Sequence, residues 1–248
     1  MTLTEFQPAW WLPGGHLQTL SAAYWRGPQP SETGVARRID LADGDALIAM
    51  DNCPPRWRPG DPAILMMHGL GGCARNPFLI RTCAKLTAAG VRVFRLNLRG
   101  CGAGSGLCRL PYHAGRSDDL RVAVDSIVGW CREGLGGARS KDSSPSSITL
   151  FGMSLSGNIL LKYLGEAGDA VPESVCGALA VNPPIDLARS VRTLDRPLNQ
   201  GYDRHFTKAL IRHVRQQIAL RPDFAPLPDR LPRTLYEFDD RYTALHGG

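Results

Sequence analysis

Ile148-Thr149-Leu150-Phe151-Gly152-Met153-Ser154-Leu155-Ser156-Gly157-Asn158, followed by Ile159-Leu160-Leu161-Lys162-Tyr163-Leu164, is the stretch of this sequence that decides the fold. Its β-branched and aromatic start suits a strand, a cluster of small residues follows, and the apolar continuation suits a helix. A serine on a turn that sharp needs small residues two before and two after it, because the backbones crowd together there. Gly152 and Ser156 occupy those places, so the pattern is G-x-S-x-S, a sterically mild departure from G-x-S-x-G. Ser154 is therefore the expected nucleophile, set against the plainer alternative of a serine that only caps the following helix.

A nucleophilic serine needs hydrogen-bond donors for the oxyanion it creates, and a second stretch supplies them. The apolar run Ala63–Met67 ends in His68-Gly69-Leu70-Gly71-Gly72, a glycine-rich turn whose backbone N–H groups can point inward. Leu70 N–H, together with the N–H of Leu155 directly after the nucleophile, is the expected donor pair. His68 reads as a structural hydrogen-bonding group rather than a base. The same turn also fits a dinucleotide fingerprint, Gly69-x-Gly71-x-x-Ala74. That reading wants an acid after the next strand, where this chain has Asn97-Leu98-Arg99-Gly100, and Arg99 would suit a 2′-phosphate. A nucleotide-binding α/β domain is accordingly a third reading.

Around these two turns the apolar runs Ala63–Met67, Val91–Leu96, Ile148–Phe151 and Cys176–Val181 alternate with helical periods. Continuous apolar strands separated by helices mark a parallel sheet covered by helices on both faces, an α/β fold. Residues 35–41 and 46–50 flank Asp43-Gly44 and read as a hairpin of antiparallel edge strands. A helix is expected from Ser117, with Ser117 as cap, Asp118 and Asp119 in the favourable first turn, Leu120, Val124, Ile127 and Cys131 facing the core, and Arg121, Asp125 and Arg132 outside. Residues 134–147 read as a Gly/Ser loop. After Pro183-Pro184 the chain becomes Arg-rich and helical, with Phe206, Leu210, Val214 and Ile218 on one face and Arg204, Lys208, Arg212 and Arg215 on another. That basic stripe is either a solvated face or an attractor for an acidic substrate or membrane surface. The expected organisation is one domain over 1–248: an irregular, aromatic-rich segment to residue 34 (Trp10, Trp11, Tyr24 and Trp25 around Pro13-Gly14-Gly15), a sheet core over 35–184 and lid helices over 185–248.

Composition sets the outer limits. With 43% hydrophobic and 21% charged residues over 248 positions, the chain is of globular type, and disordered or fibrous classes are excluded. The net charge of +6 comes from dispersed arginines with no compact basic block, so nucleic acid is not an expected partner. No apolar run approaches a membrane span and no secretory signal opens the chain, from which a cytoplasmic location is expected. The seven cysteines contain no C-x-x-C pair and read as reduced thiols; no metal or cofactor is expected.

Several separate stretches together resemble the YheT-like branch of the α/β-hydrolases, which includes plant embryogenesis-associated proteins. They are Trp11-Leu12-Pro13-Gly14-Gly15-His16-Leu17-Gln18-Thr19, the His68 turn, Asn97 to Gly102, Tyr112-His113-Ala114-Gly115, the Ser154 stretch to Gly165, and Phe238-Asp239-Asp240. The resemblance implies an α/β-hydrolase fold with a helical lid and a Ser-His-Asp triad, acting on carboxylic esters that carry acyl or lipid-like groups. It also implies an acid and a base on loops after two further strands, and no apolar run after Val181 supplies those strands. The acid and base are thus unassigned and expected beyond Gly248. Substitutes within the chain are Asp186, Asp195, Asp203, Asp223, Asp229, Asp239 and Asp240 with His205, His213 and His246. The two helix histidines suit packing, and His246 lies in a frayed end. The competing reading is a catalytically impaired or non-catalytic hydrolase-fold protein. Without the two strands, Cys176–Val181 is expected to be an open sheet edge through which copies self-associate.

Overall fold

The computed structural model describes residues 6–24, 30–31, 34–133 and 145–247, which fall into two units divided after Ser31. Most of the Gly134–Ser147 loop therefore lies outside the described residues. In the first unit Gly14, with a φ of 76°, ends an irregular stretch and Gly15–Tyr24 forms helix α1. This corrects the expectation of an irregular segment: the Pro-Gly-Gly cluster hides a following run, His16 to Tyr24, that contains no helix breaker.

The second unit is a six-stranded sheet in the order β1-β2-β4-β3-β5-β6, formed by Val35–Asp40, Ala46–Asn52, Ala63–Met67, Arg92–Asn97, Ile148–Met153 and Val175–Val181, numbered in chain order. The first two strands form the expected hairpin. Of these two strands only β1 is an edge, because β2 also pairs antiparallel with β4. From β3 to β6 the strands are parallel, and Met67 lies opposite both Leu96 and Gly152 while Met153 lies opposite Val181. All four parallel strands thus end level, which brings the turns that follow them to one rim of the sheet.

Side-chain alternation sends Met66, Val93 and Phe151 to one face, against Leu79 and Cys83 of helix α2 (Pro77–Ala88). Leu65, Met67, Phe94, Leu96 and Leu150 belong to the larger core on the other face. There they join Leu120, Val124, Ile127 and Cys131 of α3 (Ser117–Glu133) and Ile159, Leu160 and Tyr163 of α4 (Leu155–Ala167). Helices therefore cover both faces. Ser117 is not a free cap, since its hydroxyl is held between Glu166 and Lys162 on α4. Beyond β6 come α5 (Leu187–Leu194), α6 (Gln200–Leu220) and α7 (Leu235–Phe238), the last continued by a π turn over Asp239–Thr243 and by α8 (Ala244–His246). On α6 the cations Arg204, Lys208, Arg212 and Arg215 are all exposed. Among the described residues β6 pairs only with β5, and Leu179 on it is 53% exposed.

Candidate active site

Ser154 stands between β5 and α4 with φ 54° and ψ −121°, a backbone conformation that a residue with a side chain occupies only where its surroundings enforce it. The enforcement is visible. Ser154 N–H donates to Val181 O at 2.9 Å, and Ser154 O accepts from Gly157 N–H at 2.8 Å. A Cβ on Gly152 would lie 2.4 Å from Ser156 O, so the strand passes the new helix at a distance only glycine permits. Ser156 is fully buried and its hydroxyl donates to His68 O, a role that smallness alone did not suggest.

The turn after β3 meets this serine directly: a Cβ on Gly69 would come within 3.1 Å of Ser154 Cβ. Leu70, Ser154 and Leu155 line one cavity of about 360 Å3. The turn is held from behind by two side chains. Tyr112 Oη accepts from Gly71 N–H at 2.9 Å, and His68 Nε2 accepts from Leu98 N–H at 3.2 Å while Nδ1 donates to Gly69 O at 2.8 Å. Complete burial drives the His68 pKa down to about 4, so the ring is neutral and both nitrogens are occupied. It is structural.

The nucleotide reading loses its chemistry at the same rim. Gly71, Gly72 and Ala74 N–H groups donate to Tyr112 Oη, Gly69 O and Asn97 Oδ1, respectively. Arg99 donates to both carboxylate oxygens of Asp119 and to Asp43 and Asp45, each at 2.7 Å. Its guanidinium is spent on joining the β1–β2 hairpin turn to α3, with no donor fork left for a 2′-phosphate.

Opposite Ser154 the cavity wall is apolar and comes from the lid: Leu187, Val191 and Leu194 of α5, Phe206 and Leu210 of α6, and Leu235 of α7. Polar side chains line it too: Tyr112 and His113, to which the sequence reading gave no role in catalysis, Ser190, Thr243, and the candidate acid Asp239. Burial raises the Tyr112 phenol well above its usual range and raises the Asp239 carboxyl despite the hydrogen bond from Thr243. His113 Nε2 donates to Gly247 O at 2.7 Å, Nδ1 accepts from Gly115 N–H at 3.0 Å, and burial lowers its pKa. Of the histidines that follow Ser154, none lines this cavity. His205 packs edge-on against Phe206 and His213 against Tyr112, the latter at 5.5 Å between ring centres, while His246 lies tilted against Tyr242. Among the substitute acids, Asp239 alone reaches the cavity; Asp203 is buried and accepts from Leu235 N–H. Among the described residues no three His, Cys, Asp or Glu side chains converge as a metal ion would need, and all seven cysteines are free thiols.

A serine on a strained strand-to-helix turn, beside a glycine-rich turn and under a lid of helices, is the arrangement of the α/β-hydrolase class. Residues 62–242 match the family described as alpha/beta hydrolase fold, and the chain belongs to it. It is 25% identical over 191 residues to a monoacylglycerol lipase of Saccharomyces cerevisiae, covering 73% of this chain and 39% of the yeast protein. It is 24% identical to phospholipase ABHD3 of Mus musculus over 75% of this chain and 43% of the mouse protein. It is 26% identical to the embryogenesis-associated protein EMB8 of Picea glauca over 62% of this chain and 30% of the spruce protein. The chain thus spans less than half the length of each of these relatives. Among solved structures, Est1E of Butyrivibrio proteoclasticus with bound ferulic acid gives a TM-score of 0.49 at 19% identity, over 64% of this chain and 57% of that one.

Proposed function

We propose that this chain carries the nucleophile and oxyanion half of a serine hydrolase of carboxylic esters. The observation that carries the reading is the positive φ of Ser154 at the level ends of the parallel strands, with Leu70 and Leu155 on the wall of the same cavity. Ser154 Oγ would attack the ester carbonyl, its proton passing to a histidine base. Leu70 N–H and Leu155 N–H would hold the oxyanion, and return of the proton to the alkoxide would release the alcohol from an acyl-serine, which water then hydrolyses. The base, and in the family's pattern the acid, would come from outside the described residues, within which Asp239 alone of the candidate acids reaches the cavity. That assignment is supported by the absence of His205, His213 and His246 from the cavity wall and by the occupied ring nitrogens of His113. The aliphatic and aromatic lid wall favours an acyl chain over a charged group, in keeping with the lipase and phospholipase among the relatives. Seven free thiols fit a reducing cytoplasmic setting, and no described helix is long and apolar enough to cross a membrane.

The same cavity wall favours a second reading for the chain alone, a catalytically impaired hydrolase-fold protein. A fluorophosphonate probe with intact-mass detection separates the two, read beside hydrolysis of a medium-chain nitrophenyl ester. Stoichiometric labelling that Ser154→Ala abolishes supports the nucleophile. No labelling, with ester turnover at the buffer rate, leaves the scaffold reading alone, because loss of triad partners costs about 10⁴–10⁶ in kcat.

A further inference from the structure

We infer that the outer face of the lid is a docking surface for an anionic phospholipid bilayer, with a cleft that receives its phosphate headgroups. On the flank of α6 a cleft of about 500 Å3 lies between that helix, the end of α5 and residues 232–234. Three cations line it, Arg204, Lys208 and Arg233, beside the hydroxyls of Thr207 and Thr234. The acids there offset them only in part: beside the wall, Glu237 accepts from the Arg233 backbone N–H and is paired with Arg241. Asp203 is buried and accepts from Leu235 N–H, which leaves Asp195 as the one exposed carboxylate on the wall. Among the described residues none of the three cations forms an ion pair, although other surface arginines do: Arg38 pairs with Asp40, Arg221 with Asp223, and Arg241 with Glu237.

Two further features match a membrane surface. Arg212 and Arg215 carry the positive stripe along α6 beyond the cleft, both exposed and neither in an ion pair among the described residues. Leu198, in the short turn that leads into α6, is 85% exposed and would enter the headgroup layer. Charge complementarity supplies the attraction and the exposed leucine the penetration. Among the described residues no aromatic side chain lines the cleft, and on α6 His205 packs edge-on against Phe206, which faces the Ser154 cavity, so the rings are not arrayed for base stacking, which favours lipid over single-stranded nucleic acid. Phe206 and Leu210 of this same α6 line the Ser154 cavity, so docking would set that cavity's lid against the lipid. The inference concerns the lid surface and does not depend on the chemistry of Ser154.

Sedimentation of the protein with vesicles tests it. Binding is expected to vesicles rich in phosphatidylserine, to be absent for pure phosphatidylcholine, and to fall as salt rises. Each basic side chain near such a surface is worth about fivefold in partitioning, so the triple variant Arg204→Gln, Lys208→Gln, Arg233→Gln should bind roughly a hundredfold more weakly. A control triple on the body, Lys85→Gln, Arg121→Gln, Arg132→Gln, removes the same charge from α2 and α3 and should bind as the wild type does. Arg204→Lys with Arg233→Lys should keep most of the binding. Equal loss in the two triples, equal binding to neutral vesicles, no binding to anionic vesicles at low salt, or binding of duplex DNA in place of vesicles would each overturn the inference.

Discussion

The Ser156 hydroxyl donates a hydrogen bond to the carbonyl oxygen of His68, tying the turn after β5 to the turn after β3. These two turns carry Ser154 and Leu70, so the bond sets the position of the proposed nucleophile relative to the proposed oxyanion donors. On steric grounds alone glycine would serve equally at position 156; the hydrogen bond revises that expectation. Ser156→Ala is expected to lose about 1 kcal/mol in urea unfolding, leaving the His68 carbonyl without this donor, and to slow labelling of Ser154. Ser156→Val should cost more, about 1–3 kcal/mol beyond alanine, because its branched side chain is forced into a site with no free surface. An unfolding midpoint for Ser156→Ala equal to that of the wild type would show the bond contributes nothing.

Two glycines give a paired test of the turn. A methyl group on Gly152 would sit 2.4 Å from Ser156 O, whereas one on Gly129 in the middle of α3 meets nothing within 4 Å. Gly129→Ala should stabilise the protein by about 0.5–1 kcal/mol through helix propensity. Gly152→Ala should displace the turn, destabilise the fold and abolish labelling of Ser154. Similar melting temperatures for the two variants would remove the steric argument for the elbow.

The parts of this architecture legible in the sequence are those in which one local rule decides. Parallel strands buried on both faces favour apolar residues, so β3 and β5 stand out as runs, whereas β4 carries the buried Arg92 and Arg95 and β6 is partly exposed; the spacing of Gly152, Ser154 and Ser156 has a steric meaning of its own. What stays hidden depends on segments distant in the chain. Asp43 reads as a turn residue and Asp119 as a helix-start residue, yet both are partners of Arg99, which only the folded hairpin brings within reach. Tyr112 and His113 share the Ser154 cavity with the lid helices α5, α6 and α7, and no periodicity announces that gathering; of the candidate acids named in the sequence, the fold alone picks out Asp239 as the one on its wall. His113 figures in the sequence only as part of the resembling Tyr112–Gly115 stretch and drew no catalytic role, because it precedes Ser154, outside the expected order of serine, acid and base.

The Arg99 cluster makes a stability prediction. Arg99 is 3% exposed and donates to three carboxylates, so removing one partner strands buried charge. Arg99→Met should cost about 3–5 kcal/mol, because Asp119 loses its bidentate partner and the fully buried Asp45 is left with Arg109 alone as counter-ion. Restoring neutrality with Arg99→Met, Asp119→Leu should recover part of that loss. Additive losses in the double variant would show that the residues do not act as one cluster.

Two buried histidines set an acid-side limit. Burial lowers both His68 and His213 from the ordinary 6.5 to about 4 in the folded state. The unfolded chain therefore binds protons first as pH falls, and the stability these groups contribute is present above about 6.5 and lost progressively toward 4. The loss should be on the order of a few kcal/mol by the lower limit. Carboxylates contribute little between pH 7.5 and 5.5, where the histidine effect is best measured by urea unfolding. His213→Phe keeps the ring against Tyr112 and should flatten the dependence. An unchanged slope in that variant would assign the acid sensitivity elsewhere.

The last prediction concerns β6. Its one partner among the described residues is β5, and Leu179, opposite Phe151 in the register, is 53% exposed. An apolar strand with a free row of N–H and C=O groups and no Lys or Pro within it is a template for pairing with a second copy of itself. The chain is expected to self-associate through this edge, unless further polypeptide covers it. Because the Leu179 side chain already meets solvent, Leu179→Lys should fold and should shift the protein toward monomer in light scattering across a concentration series. Leu65→Lys, at a fully buried position of β3, should by contrast unfold it. A wild-type chain that stays monomeric at every concentration, with amides on both sides of Val175–Val181 slow to exchange, would mean that this edge is covered and the association absent.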